Sequence, residues 1–475
     1  MRSMYKLLRS VSRWLVVVMV VLVVSIAGAR TGLWSAQPYT VCPSGCPFTK
    51  IQAALDAAKE GDTITVGPGV YRENLKITKS LSLSGADPAQ VRLLPGGPAY
   101  ALVQIGQEST LKTVRIEGFT LQRMEGLVEY AVSDDVVTSI ERLIFRNNRV
   151  LTREETGRNF TVQLNANEVI VEGNVFSRGS DLITSGQQIR ITNNDLWLAS
   201  VDRFWGDEGN QALVEGNTFR EGGLGVTGNT IVRKNRFRSA GVGIDVGGRP
   251  EVELVQVLEN EFIGPGVQRS RSSIFDLSDA ITVGNSGDRV LIEGNKIANY
   301  DVGILVNGWW QPSPEIIIRR NSITQGIWGI WVKEQQRQPS RIEIMENAID
   351  RQKFPEQTGT LRGPSLGAGL VLDREAHEVE LIVRGNHLIL SEFGVVLLAG
   401  SGRADLQGNR IVDNDLWGVF LAVPPCWEFD TPAKVQVTGF GNEIVNNGKR
   451  LKPEEKRVGD GEGNVCPKEL MSLKR

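Results

Sequence analysis

The sequence predicts an all-β solenoid: a parallel β-helix with a short capping helix near its N-terminal end. Three observations predict it. The first is a recurring phrase, apolar-x-apolar-x-x-Asn-x-apolar, seen in Val169-Ile170-Val171-Glu172-Gly173-Asn174-Val175-Phe176 and again in Val290-Leu291-Ile292-Glu293-Gly294-Asn295-Lys296-Ile297. The second is its spacing. Further copies centre on Asn148, Asn194, Asn217, Asn235, Asn260, Asn321, Asn347, Asn386, Asn409 and Asn442, with steps mostly in the twenties, such as 26 and 26 from Asn295 through Asn321 to Asn347. A fixed period of this size marks stacked repeats. The third is an alternating phrase, Gly-Ile-x-Val, at Gly243–Val246, Gly303–Val306, Gly329–Val332, Gly369–Leu372, Gly394–Leu397 and Gly418–Leu421.

Each element has a physical reason. The residues five and three before each asparagine are apolar, as in Ile189/Ile191, Ile316/Ile318 and Leu381/Val383, while the residue between varies freely. That is period-2 alternation in a run too short for a helix and rich in β-branched residues, so it reads as a strand. The apolar residue two after the asparagine points inward again beyond a bend. Asparagine suits the bend because it tolerates the left-handed backbone and its amide can bond the equivalent residue one rung away. With the Gly-Ile-x-Val strand, each coil holds at least two strands, and stacked coils hydrogen-bond at about 4.8 Å.

Residues 1–29 read as a signal peptide or an N-terminal membrane anchor: Arg2, Lys6, Arg9 and Arg13, then the apolar run Trp14–Ala27, then Ala27-Gly28-Ala29. Either way, export is expected. Residues 30–47 form a linker with a cysteine pair, 48–448 the solenoid, and 449–475 a charged tail expected to be loose except where Cys466 pins it. The four cysteines allow three pairings. Cys42–Cys46, separated by Pro-Ser-Gly, and Cys426–Cys466 would staple the two ends, as export permits. A four-thiolate metal site would require those ends to meet. Thr49–Ala58 is expected to be helical, with a Thr49/Gln52 capping box and an apolar face of Ile51, Ala54, Leu55 and Ala58. Its job is to cover the open first coil. From Val91 to Val150 the repeat blurs, and residues 350–368 read as a surface loop inserted between rungs.

The strand-asparagine-strand phrases, together with the opening run from Phe48 to Ala86, resemble the right-handed parallel β-helix proteins of the pectin-lyase-like fold, with NosD-like repeats nearest in texture. The resemblance covers about residues 48–450 and implies the fold rather than an activity, because that fold hosts lyases, hydrolases, esterases, epimerases and tailspikes. The polygalacturonase, pectin methylesterase and alginate epimerase motifs and the calcium-binding glycine repeat are absent from the sequence. With two histidines and no His or Met cluster, a metal cofactor such as copper finds no support, and no cofactor is expected. Charge is balanced, 53 basic against 55 acidic residues, so no nucleic-acid footprint is present. Membrane contact is expected only through the N-terminal segment.

Chemistry is sought on outward columns. The x position of Gly-Ile-x-Val holds Asp245, Leu305, Trp331, Val371, Val396 and Phe420, an apolar run over several coils. Either loops or a partner chain cover it, or Trp309, Trp310, Trp331 and Phe420 form a stacking platform for sugar rings. Lys333 and Asp373, two positions further on, are weak catalytic candidates that a salt bridge would equally explain. Asp276, Asp279, Asp413, Asp415 and Trp205–Glu208 read as solvated turns. The leading expectation is an exported protein that binds polysaccharide or a cell-surface partner along one face. The alternatives are a polysaccharide lyase or glycoside hydrolase, and a NosD-like accessory protein.

Overall fold

The computed structural model describes residues 39–106, 110–124, 127–134, 139–152, 160–202, 211–238, 241–247, 253–267, 277–284, 289–308, 313–335, 340–353, 367–373, 376, 378–398, 402–424, 426 and 433–474. The leader-like residues 1–29 and the core of the 350–368 insertion lie outside them.

Strands visit three sheets in strict rotation, and every neighbouring pair is parallel. Sheet I has 16 strands, from Thr40–Val41 to Val435–Phe440; sheet II has 15, from Gly69–Arg72 to Glu443–Val445; sheet III has 15, from Leu75–Ile77 to Val465–Cys466. The chain is a parallel β-helix with three strands per coil. The Asn phrase supplies sheets I and II, and the Gly-Ile-x-Val phrase supplies sheet III. The third strand is hard to see in the sequence because sheet II strands are only two to four residues long.

Register follows the inward files. Val171 pairs with Ile191, and Ile292 with Ile318, in one file that runs on through Val214, Val232 and Val257, each 0% exposed. A stack of Phe219, Phe237 and Phe262, with centroids 4.5 and 4.7 Å apart, fills the interior behind sheet II. The blurred region from Val91 to Val150 keeps the same three-strand rotation.

All twelve asparagines of the phrase form one ladder at the corner between sheets I and II, each at most 4% exposed. Asn260 shows the unit: its backbone N–H and its Nδ2 both donate to Asn295 Oδ1, at 2.9 and 3.0 Å, and Asn295 Nδ2 donates to Val257 O at 2.8 Å. Every amide group is thereby satisfied in a site that water does not reach. One expectation needs correcting: the left-handed residue is not the asparagine but the one before it, for example Gly173 (φ 65°), Lys234 (φ 55°) and Glu346 (φ 55°). The asparagine is needed for its amide; the residue preceding it takes the strain, and glycine is favoured there.

Both ends are closed. Helix α1 (Ile51–Ala57) covers the first coil with Ile51, Ala54 and Leu55. The expected Thr49/Gln52 capping box is absent. Instead Glu73 accepts the Ile51 and Gln52 N–H groups at 2.9 and 3.0 Å, and Lys79 Nζ donates to the carbonyls of Leu55, Asp56 and Ala58. Charges at both ends of this short helix oppose its dipole.

At the other end the tail is ordered, against expectation. Helix α2 (Pro453–Val458) is followed by Val465–Cys466, which completes sheet III, and by a 3-10 turn whose Leu470 and Leu473 are buried. The Leu473 carbonyl accepts from Asn442 and so ends the asparagine ladder. Asp413 and Asp415, read as solvated turns, dock this tail: Lys449 reaches Asp413 at 2.9 Å, and Arg450 reaches Glu392 and Asp415 at 3.4 and 3.9 Å. Disulfides Cys42–Cys46 and Cys426–Cys466 join the expected pairs, one near each end.

Candidate functional site: the outer face of sheet III

The three outer faces differ. On sheet I, charges alternate from rung to rung, as in Glu117–Arg146–Glu172 and Glu315–Arg341–Glu380–Arg403. Contacts include Arg233–Glu215 at 3.0 Å and Arg319–Glu293 at 2.8 Å. Between these columns the free position is often aliphatic, with Ile170, Leu213, Ile231, Leu291, Ile317 and Ile382 half-buried. The long charged side chains beside them have apolar stems that suit such surface. Sheet II carries Arg220–Asp195, Arg236–Glu261 and Arg410–Glu443.

Sheet III also has its own backbone device. Val242 pairs with Asp279 and Ile244 with Ile281, so the residue between is skipped and positions three apart both face outward. Glycine fits the skip closely at this rung, where a Cβ on Gly243 would lie 2.5 Å from Ala280 O and 2.9 Å from the Phe262 ring, while Ala280 and Ala131 hold the same position on other rungs. A Cβ at Gly303, Gly329, Gly394 or Gly418 would be crowded in the same way, which favours glycine before the Ile-x-Val strand on those rungs.

The downstream half of this face is packed. Leu277, Val302, Trp328, Trp331, Val371, Phe393, Val396, Trp417, Phe420 and Cys466 form a second apolar cluster outside the main core. Trp331 and Phe420 are each 2% exposed, so neither offers the open ring face that a sugar platform needs. The outward column was read correctly as apolar, and burial within the chain is why it is tolerated. Trp309 and Trp310 lie outside the described residues. Lys333, Asp373 and Trp331 do come together: the Trp331 indole N–H donates to Asp373 at 3.0 Å, and Lys333 Nζ lies 5.8 Å from the Trp331 ring centroid. Trp328 packs on the same indole at 4.5 Å. Asp373 is buried and engaged in holding Trp331, an arrangement that favours packing over proton transfer.

The upstream half is polar and was missed. Its outward register runs through Lys76, Gln104, Tyr130, Thr161, Gln163 and Ile183, followed by Asp245, Asp279 and Thr282, with Ser133 and Asp181 in the same register but only 3% and 8% exposed. At its start the rings of Tyr100 and Tyr130 lie 4.7 Å apart, and Tyr100 is 56% exposed. A hydrogen bond to the Tyr130 hydroxyl, then burial, raises the Tyr100 phenol above its ordinary value. At the strand end Asp134 accepts the Asn165 backbone N–H and amide, both at 2.6 Å. Paired aromatic rings beside side chains that donate and accept hydrogen bonds suit a sugar's apolar face and its hydroxyls. The available signal was this polar run in the repeat's outward register, hidden because coil 111–122 has Phe119 where the others have asparagine. Phe119 keeps the ladder only through its backbone N–H, which donates to Asn148 Oδ1 at 3.0 Å.

Among the described residues no group of three His, Cys, Asp or Glu side chains is placed to hold a metal ion. His387 is exposed on sheet II, and His377, Asp276 and Trp205–Glu208 lie outside the described residues.

No protein-family model and no curated protein matches the chain. Solved structures with which it shares its architecture include the catalytic unit of a thermostable GH87 α-1,3-glucanase from Streptomyces thermodiastaticus (15% identity, 85% of this chain and 68% of that one, TM-score 0.43). A PL6 alginate lyase in complex with a trisaccharide has 14% identity over 84% of this chain and 83% of its own, with a TM-score of 0.33. The A-module of an Azotobacter vinelandii mannuronan C-5 epimerase has 14% identity over 84% and 94%, with a TM-score of 0.27. At TM-scores below 0.5 these likenesses carry no functional inference.

Proposed function

We propose that this is an exported β-helix protein that binds polysaccharide, free or at a cell surface, along the upstream outer face of sheet III. One observation carries the reading: sheet I and sheet II pair outward charges between rungs, as in Arg233–Glu215, Arg319–Glu293 and Arg410–Glu443, whereas upstream sheet III places the neighbouring rings of Tyr100 and Tyr130 beside the amides and hydroxyl of Gln104, Thr161 and Gln163. Stacking supplies affinity for the apolar side of a sugar ring, and the flanking amides and hydroxyls supply orientation. A rung spacing of about 4.8 Å is close to the length of one sugar unit, so a glycan lying along the axis would meet a fresh rung with nearly every residue. Two disulfides suit an oxidising compartment, in keeping with export.

The test is retention of the purified protein on a panel of immobilised neutral and acidic polysaccharides, with Tyr100→Ala and Tyr130→Ala alongside. Retention by one polysaccharide class, weakened in both variants, is expected. Retention unchanged in both would place binding elsewhere.

A further inference from the structure

We infer that the outer face of sheet I is a dimer interface whose partner is a second copy of this chain. The two copies pack face to face about a two-fold axis through the rung Leu254–Leu258.

Three outward columns run along this face. The middle one extends from Ile170 to Ile382, with Gln256 four rungs from either end. A two-fold axis along the strand direction turns the second copy over and reverses its rung order, while each column still meets itself. Centred on Gln256, it sets Ile231 against Leu291, Leu213 against Ile317 and Ile170 against Ile382. All six are half-buried in the single chain and so still hold apolar surface to cover. The two charges of this column, Arg190 and Glu343, also meet. Arg190 is exposed and has no partner in its own chain among the described residues; the second copy provides one.

The column beside the asparagine ladder matches as well. Leu258 stands on the axis, Arg233 meets Glu293, Glu215 meets Arg319, and Glu172 meets Arg384. Within the chain Arg233 holds Glu215 at 3.0 Å and Arg319 holds Glu293 at 2.8 Å, so each crossing joins two ion pairs into a network of four charges. In the third column Leu254 stands on the axis, and Arg289, Glu315 and Arg341 meet the amides of Asn229, Gln211 and Gln188. Its outermost contact sets Glu168 against Glu380, and Glu168 is already neutralised in its own chain by Arg142. The register is specific. Moving the axis half a rung either way sets Arg233 against Arg319 or Glu215 against Glu293, and like charges face to face are costly.

The area is sufficient. From Ile170 to Ile382 the face is about 40 Å long and, over five-residue strands, about 15 Å wide, so the two copies would bury roughly 1,200 Å² in all, the size of a small specific interface. Sheet III is a separate face, so dimer formation and polysaccharide binding can be tested apart.

The purified protein is sedimented over a concentration series, and a dimer is expected. Arg190→Glu creates two like-charge contacts per dimer and should weaken association about tenfold or more; adding Glu343→Arg should restore it. All four cysteines are held in disulfides, so Gln256→Cys introduces a single reactive thiol. It lies on the axis and should be joined to its copy by a short bis-maleimide, whereas Arg190→Cys, about 29 Å from its copy, should not. Circular dichroism should match wild type for every variant. A monomer at every concentration, a dimer untouched by Arg190→Glu, or cross-linking at Arg190→Cys but not at Gln256→Cys would each overturn the inference.

Discussion

The two halves of sheet III are built on the same strand phrase and have opposite outer surfaces. Upstream, the outward positions are Tyr130, Thr161, Asp181, Gln163 and Asp245; downstream, the same columns hold Trp328, Phe393, Trp331, Val371 and Phe420. The interior files do not change across this boundary, with Leu182, Ile281, Ile330 and Val395 each 0% exposed. The β-helix scaffold therefore leaves the outer residues free to differ. Downstream they extend the core and help anchor the C-terminal cap through Cys466; upstream Tyr130, Thr161 and Gln163 are only half-buried and Asp245 is exposed.

The sharpest way to break the comparison is to truncate one aromatic residue in each half. Trp331→Ala removes a buried indole packed on Trp328 and bonded to Asp373. It should cost about 3–5 kcal/mol in denaturant unfolding, and any folded protein should retain polysaccharide as before. Removing the downstream staple with Cys426→Ser and Cys466→Ser opens a link spanning a sequence separation of 40. It should cost about 3–4 kcal/mol, with amide exchange rising first in residues 449–474. Tyr130→Ala should do the reverse of Trp331→Ala. Stability should fall little, because the residue is half-exposed, while affinity for the retained polysaccharide should drop about tenfold, the loss of roughly one aromatic contact.

The smallest effect is a pH dependence of the cap. Burial disfavours the Asp460 carboxylate, but N–H groups of Glu462, Gly463 and Asn464 and the Lys474 ammonium outweigh it and hold the carboxyl below its ordinary value. A depressed folded-state value stabilises the cap above the unfolded value, about 3.9, and this is lost as pH falls through the folded one. Exchange of the Asn442 amide, which donates to Leu473, should therefore quicken in acid. Asp460→Asn should remove that pH dependence.

The fold was legible because its constraints repeat. A ladder amide recurs in most coils and a glycine at the sheet III skip in several, so twelve asparagines and six glycines stand in register. What was not legible depends on partners far apart in the chain. Glu73 caps a helix that begins at Ile51, 22 residues earlier. The tail looks loose because its few apolar residues, Leu470 and Leu473 among them, are placed by contact with the last coil rather than by any periodic pattern. The site was missed for a related reason: outward residues answer to what touches them. Trp331 and Tyr130 share an outward face, and only the three-dimensional arrangement distinguishes a packed ring from an open one.

Hydroxyl-radical footprinting of the native protein, with and without the polysaccharide it retains, tests the central claim most directly. Tyr100 and Tyr130 should be oxidised in the free protein and protected by the polysaccharide, while Trp331 and Phe420 stay protected in both states. Rapid oxidation of Trp331 in the free protein, or protection that appears on sheets I and II but not at the two tyrosines, would contradict it.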